Sequence, residues 1–348
     1  MKRKRIIAFD LEGPLSPMDH AMEVMGIVPE GEKVFAVLSR YDDLLTIEGR
    51  AGYEPGDTLV LIFPFLLLHR IKPEDLIEVS KRAGLVKGSK ELVSELKKDG
   101  WDIYIISTSY CQHARSIGDR LGVEKGDIFC TDLTKIDFDK KLDRETESLL
   151  KETENYILSN LYSNKLDSGE KDLSIKPYLD RFFWHELKST SIGHFMNDIK
   201  VMGGTKKREA LEGIAERDGI TLKDIVAVGD SITDFPMLKA VNEAGGLAIV
   251  FNGNEFSLPY GTVSVASTDL RDIRLLVDKW VENGREGVRQ VFNPPSPPLL
   301  KGGKGGFIGE GPYYHLLEGV NEEEMNEILK IHRTFRKKVR GELTARLG

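Results

Sequence analysis

The chain has 348 residues, of which 40% are hydrophobic and 30% charged, and its formal net charge is −7. That length and composition suit a soluble globular protein with two domains, or one core carrying large insertions, and the acidic total argues against general nucleic-acid binding. Two cysteines, Cys111 and Cys130, exclude a disulfide framework and point to a reducing compartment.

The basic start Lys2-Arg3-Lys4-Arg5 reads as a solvated lead-in to a strand-like run at 5–10 that ends on Asp10. No signal-peptide pattern precedes it, so a cytoplasmic location is expected. Residues 16–88 read mostly as helix. Their most apolar run, 59–68, is far shorter than the ~20 residues that cross a bilayer. Pro64 is expected to break it, and it reads as buried cap or interdomain core. A helix over 89–98, stopped by Asp99-Gly100, leads into a strand over 101–106 that opens onto Ser107-Thr108-Ser109. A short strand follows at 128–130.

Residues 131–200 form a second, mainly helical interval with a turn-rich centre at 163–174. Its aromatic cluster Phe182-Phe183-Trp184-His185 is expected to pack rather than to touch a ligand. An amphipathic helix over 206–217, closed by Asp218-Gly219, precedes a strand over 225–229 and the turn Asp230-Ser231-Ile232-Thr233-Asp234. Further strands are expected at 246–251 and 263–266. Residues 293–306 are low in complexity, proline-rich and then glycine-rich, and read with 307–311 as a linker. The remainder, 312–348, reads as a charged helical tail with Met325, Ile328, Leu329 and Ile331 on its apolar side.

Strands alternating with helices predict an α/β fold: a doubly wound parallel sheet with helical cap insertions. The core is assigned to 1–15, 89–130 and 201–292, with caps at 16–88 and 131–200. Asp10, Glu12, Asp230 and Asp234 then gather at the carboxyl ends of strands, where open α/β sheets bind ligands. Carboxylates collected there repel one another unless a hard cation joins them. Carboxylates, water and a substrate phosphate make the oxygen shell that Mg²⁺ prefers. The seven histidines are scattered without metal-ligand spacing, which argues against zinc.

Four segments, in order, resemble the motifs of the haloacid dehalogenase superfamily: Phe9-Asp10-Leu11-Glu12-Gly13-Pro14-Leu15, Ile105-Ile106-Ser107-Thr108-Ser109, Lys207-Arg208-Glu209-Ala210-Leu211 and Gly229-Asp230-Ser231-Ile232-Thr233-Asp234. Lys206 competes with Lys207 for the third. Glu12 stands where aspartate is usual, as in the branch that resembles phosphoserine phosphatase, and Pro14 replaces the usual threonine. The first two motifs also resemble archaeal proteins of this superfamily associated with energy-converting hydrogenases.

The resemblance implies a doubly wound core and a Mg²⁺-dependent phosphatase acting on a small phosphorylated metabolite. It makes Asp10 the nucleophile that forms an aspartyl-phosphate, and Glu12 the acid–base group. Ser107, Thr108 and Lys207 would hold the phosphoryl oxygens. Asp10, Asp230 and the Glu12 carbonyl would hold the metal, with Asp234 beside it or orienting the lysine. A phosphotransferase or phosphomutase would use the same residues. A catalytically weak scaffold or complex subunit is the reading of a different class.

Overall fold

Ile6, Ile7, Ala8 and Phe9 are wholly buried, which makes strand β1 (Arg5–Phe9) a central one rather than an edge. A strand covered on both faces reads as a continuous apolar run, and this one does. The computed structural model describes residues 4–138, 142–160, 174–292, 309, 311–342 and 344–346. Among them β1 pairs in parallel with β2 (Trp101–Tyr110) on one side and β4 (Ile225–Gly229) on the other. With β3 (Ile128–Thr131), β5 (Leu247–Phe251), β6 (Val263–Ala266) and β7 (Tyr313–Leu316), the order is β3-β2-β1-β4-β5-β6-β7. The chain steps outward from β1 in both directions. The β1–β4 boundary is therefore a topological switch point, where a crevice opens beyond the strand ends.

Alternation along β1 divides the core. Ile7 and Phe9 pack with Leu92, Leu96, Ala114, Ile117 and Leu276 on one face of the sheet. Ile6 and Ala8 pack with Leu211, Ile214, Met237, Leu238 and Val241 on the other. Helices thus cover both faces, as the predicted doubly wound arrangement requires. No helix among the described residues is long and apolar enough to cross a membrane.

Four expectations change. The tail is not wholly helical, because β7 lies antiparallel on β6 and covers what would otherwise be an exposed sheet edge. Four residues, Tyr-Tyr-His-Leu, are too few to show a period. Pro64 does not break its helix, Thr58–Leu68. Leu61, Ile62, Phe63, Phe65 and Leu66 around it are all buried, and that burial outweighs the missing backbone bond. The two insertions are not separate caps: Val34, Phe35, Tyr41, Phe63 and Phe65 from the first share one hydrophobic cluster with Leu150, Ile157, Leu179, Phe182 and Phe183 from the second. The 163–174 centre lies outside the described residues except Ser174, and of the 293–311 linker only 309 and 311 are described.

The fourth change concerns the cysteines. Cys111 opens the helix Cys111–Leu121 and Cys130 lies on β3, and the two are disulfide-bonded with Cα atoms 5.1 Å apart. Pairing of β2 with β3 brings the two positions together, which a count of two could not reveal. Closing a loop over a separation of 19 residues stabilises a domain by about 3 kcal/mol in the chain-entropy model. Cys130→Ala is expected to lose that amount in denaturant melts, and wild type in reductant should fall to the same midpoint. An unchanged wild-type midpoint in reductant would show that the bond contributes nothing in solution.

Candidate active site

Asp10 follows β1 directly, and its backbone N–H donates to the Val228 carbonyl on β4 at 2.8 Å. This bond fixes the Asp10 side chain over the crevice. Lys207 enters from the helix Thr205–Asp218 and is wholly buried. Its Nζ donates to Asp10 Oδ1 at 2.7 Å and to Asp234 Oδ1 at 2.6 Å. Lys206 points outward, exposed, and pairs with Glu209. Lys207 is thus the lysine that faces the carboxylates.

Asp234 also shapes the turn after β4: its Oδ2 accepts from the backbone N–H groups of Asp230 at 2.9 Å and Ser231 at 3.0 Å. Gly229 makes room for it, since a Cβ there would lie 2.7 Å from the Asp234 Cβ. Gly13 has a tighter constraint. Its φ is +107°, and a Cβ would lie 2.3 Å from an Asp230 carboxylate oxygen. The first-motif loop therefore passes directly against Asp230.

Glu12 Oε1 accepts from the His20 backbone N–H at 2.8 Å, at the start of the cap. Ser107 is buried, and its Oγ shares a 2.7 Å bond with Ser109 Oγ. The cavity is lined instead by Thr108 and Ser109 from this segment. Thr108 Oγ1 is buried without a partner among the described residues. A hydroxyl in that state is one a ligand oxygen could satisfy.

Burial is the dominant electrostatic influence. It pushes the Asp10 carboxyl up to about 8, with the Asp234 charge adding and Lys207 opposing. Glu12 is raised well above its ordinary value, first by burial and then by the charge of Asp19. Burial also raises Asp230, although Arg336 and Arg340 pull the other way. Lys207 would be lowered by burial, but Asp10 and Asp234 more than reverse this and keep it charged.

Two arginines that the sequence reading passed over complete the picture. Arg336 and Arg340, in the helix Glu322–Arg340, both pair with Asp230 Oδ2, the second at 3.0 Å. Basic residues in a last helical turn ordinarily complement the helix dipole. The available signal was their i, i+4 spacing beneath buried Ile328, Ile331 and Phe335.

The residues fit a divalent cation. Asp10, Asp230 and Asp234 each offer an oxygen, all within 4.8 Å of one another. Lys207 and the two amides occupy both oxygens of Asp234, whereas Asp230 Oδ1 is buried with no partner among the described residues. A buried carboxylate oxygen without a donor suits a metal ligand.

The cap closes over this arrangement. Glu54 accepts from Thr205 Oγ1 at 3.0 Å and from the Thr205 N–H at 3.2 Å, at the start of the Lys207 helix. The cavity, about 80 Å³, is bounded by Asp10 and Glu12 below and by Phe35, Ser39, Asp42 and Thr58 of the cap above. It has room for a few waters.

A family model described as haloacid dehalogenase-like hydrolase matches residues 87–249. A curated phosphoserine phosphatase of Archaeoglobus fulgidus is 23% identical over 271 residues, covering 77% of this chain and 58% of that protein. The chain thus spans less than two thirds of that relative's length. A phosphoserine phosphatase of Methanocaldococcus jannaschii is 22% identical, covering 78% of this chain and 97% of its own. Among solved structures, a gene product of Archaeoglobus fulgidus superposes with a TM-score of 0.78 at 28% identity, covering 99% of both chains. The family match over residues 87–249, the sheet order and the four motif segments gathered at one crevice together make the chain similar to haloacid dehalogenase-like hydrolases.

Proposed function

We propose that the chain is a Mg²⁺-dependent phosphatase that hydrolyses a small phosphorylated metabolite through an aspartyl-phosphate. The observation that carries this reading is the buried triad in which Lys207 bridges Asp10 and Asp234, while Asp230 Oδ1 has no partner among the described residues. An Asp10 oxygen attacks phosphorus, and the bond to the leaving oxygen breaks as Glu12 gives that oxygen a proton. Burial raises the Glu12 carboxyl, which suits it to carry that proton near neutral pH. Glu12 then takes a proton from water, whose oxygen attacks the same phosphorus and frees Asp10 and inorganic phosphate. Lys207, Thr108 and the residues around Ser107 hold the phosphoryl oxygens throughout. Asp10, Asp230 and the Glu12 carbonyl are the groups that would hold Mg²⁺, and Asp234 orients the lysine. The ion supplies positive charge where charge builds on the phosphoryl group.

The small cavity under the cap favours small substrates, because a cap over the site hinders bulky chains. The names of the two curated relatives make phosphoserine the first ester to try. Purified protein should hydrolyse p-nitrophenyl phosphate, and at least one member of a phosphometabolite panel, only with Mg²⁺ present and not in EDTA. Failure on every ester at saturating Mg²⁺ would overturn the phosphatase reading and favour a scaffold.

A further inference from the structure

The tail helix reaches the centre of the molecule with two guanidinium groups, and no motif accounts for them. Arg336 is 2% exposed and anchored on several sides: its Nη1 reaches Asp230 Oδ2, the Asp230 carbonyl and the Asn252 carbonyl, and its Nε donates to the Ala345 carbonyl at 3.1 Å. Arg340 is different. It is 7% exposed, meets Asp230 through Nη1 alone, and its buried Nε has no partner among the described residues. Like Arg336, it lines the cavity together with Asp10 and Glu12. A buried guanidinium with an unused donor at the edge of an anion-sized cavity is an unfinished site.

Resting on the phosphatase reading, we propose that Arg340 is a phosphate-binding residue delivered by the C-terminal helix, with Arg336 the positioning residue that docks that helix on Asp230. The formal charges give the reason. With Glu12 holding its proton, Asp10, Asp230 and Asp234 carry three negative charges against three positive ones on Lys207, Arg336 and Arg340. A dication turns that balance positive by two, which attracts a phosphate dianion. Without the two arginines the same metal-loaded site would be neutral and lose that attraction. The arginines act in the opposite sense on the metal, because two cations on Asp230 Oδ2 lie close to an ion on Oδ1. The tail thus trades affinity for the metal against affinity for phosphate.

This yields a crossed result that a purely structural contact would not give. Full-length wild type, Arg340→Gln and Arg340→Lys are compared in two titrations. Mg²⁺ alone is followed by thermal stabilisation of the ligand-free protein, and inorganic phosphate by calorimetry at saturating Mg²⁺. Arg340→Gln should weaken phosphate binding by roughly tenfold or more, as loss of a charge-assisted hydrogen bond does, while its Mg²⁺ midpoint moves to lower concentration. Arg340→Lys, which keeps the charge, should fall between the two in both titrations. An unchanged phosphate affinity, or a Mg²⁺ midpoint that rises, would reduce Arg340 to a structural contact. If Arg340→Gln does not fold, Arg340→Lys against wild type carries the test, and equal phosphate affinity for these two overturns the proposal. A wild type that binds phosphate with Mg²⁺ but hydrolyses no ester would defeat the phosphatase reading and leave this one standing.

Discussion

Asp10→Asn is expected to keep the fold and abolish turnover. The amide has no anionic oxygen to attack phosphorus, and losing a nucleophile in covalent catalysis costs on the order of 10⁴-fold or more in rate. The fold should survive because the substitution removes one charge from a crowd of buried carboxylates. Lys207 retains Asp234 as its partner at 2.6 Å, and the amide oxygen can still accept from Nζ. Ligand-free Asp10→Asn should therefore melt no lower than wild type. Turnover within tenfold of wild type would remove Asp10 from the mechanism.

Lys207→Met should lose both activity and stability. The lysine is the buried cation between Asp10 and Asp234, and breaking a buried pair from one side costs about 3–5 kcal/mol, because it strands the opposite charge. That loss should depend on pH in a definite direction. Burial and Asp234 already raise the Asp10 carboxyl to about 8 with the lysine in place, and removing the lysine raises it further. A carboxyl whose folded value lies above its unfolded value of about 3.9 favours folding below the unfolded value and loses that favour as pH rises through the folded one. The gap between variant and wild type in denaturant melts, without Mg²⁺, should therefore be smallest at about pH 6, where both folded carboxyls hold their proton, and widen towards about pH 9, where only the wild-type carboxyl ionises. An equal gap at both ends would mean that lost packing, not charge, is responsible.

The sheet was legible because each of its parallel strands is an apolar run ending at a carboxylate, a serine or a turn. Covered strands carry their burial in plain composition, as Ile225 to Val228 do. Asp10 and Asp230 were legible for the same reason, since they stand immediately beyond β1 and β4, while Lys207 lies in the first turn of a helix that can be predicted locally and Asp234 closes the turn after β4. What escaped notice depends on contacts between distant segments. Nothing local to Cys111 announces Cys130, and nothing in Phe63 or Phe65 shows that Phe182 will meet them in one cap. Arg336 and Arg340 sit on a helix whose local sequence is that of a solvated surface element. Their pairing with Asp230 appears only once the helix is laid across the end of β4. Ser107 shows a subtler limit, since its place in the motif was clear but its hydroxyl turns towards Ser109 while Thr108 and Ser109 face the cavity.

The position of β1 has a consequence for how the molecule is made. The strand of this sheet that is made first is the one that needs neighbours on both sides, and one of them, β4, begins only at Ile225. Until that strand is made, β1 and β2 form a partial sheet whose inner edge is open and apolar, a state prone to wrong pairing. Synthesis proceeds at roughly 5–20 residues per second, so the gap from residue 9 to residue 225 leaves that edge unpaired for some 10–40 s. The large cap sequences emerge during this interval and can gather their own core first. Asp230 then waits a further hundred residues for Arg336 and Arg340. A nascent chain shorter than this should therefore have the carboxylates of the crevice in place with their charge unbalanced, and the site matures only as the helix Glu322–Arg340 docks.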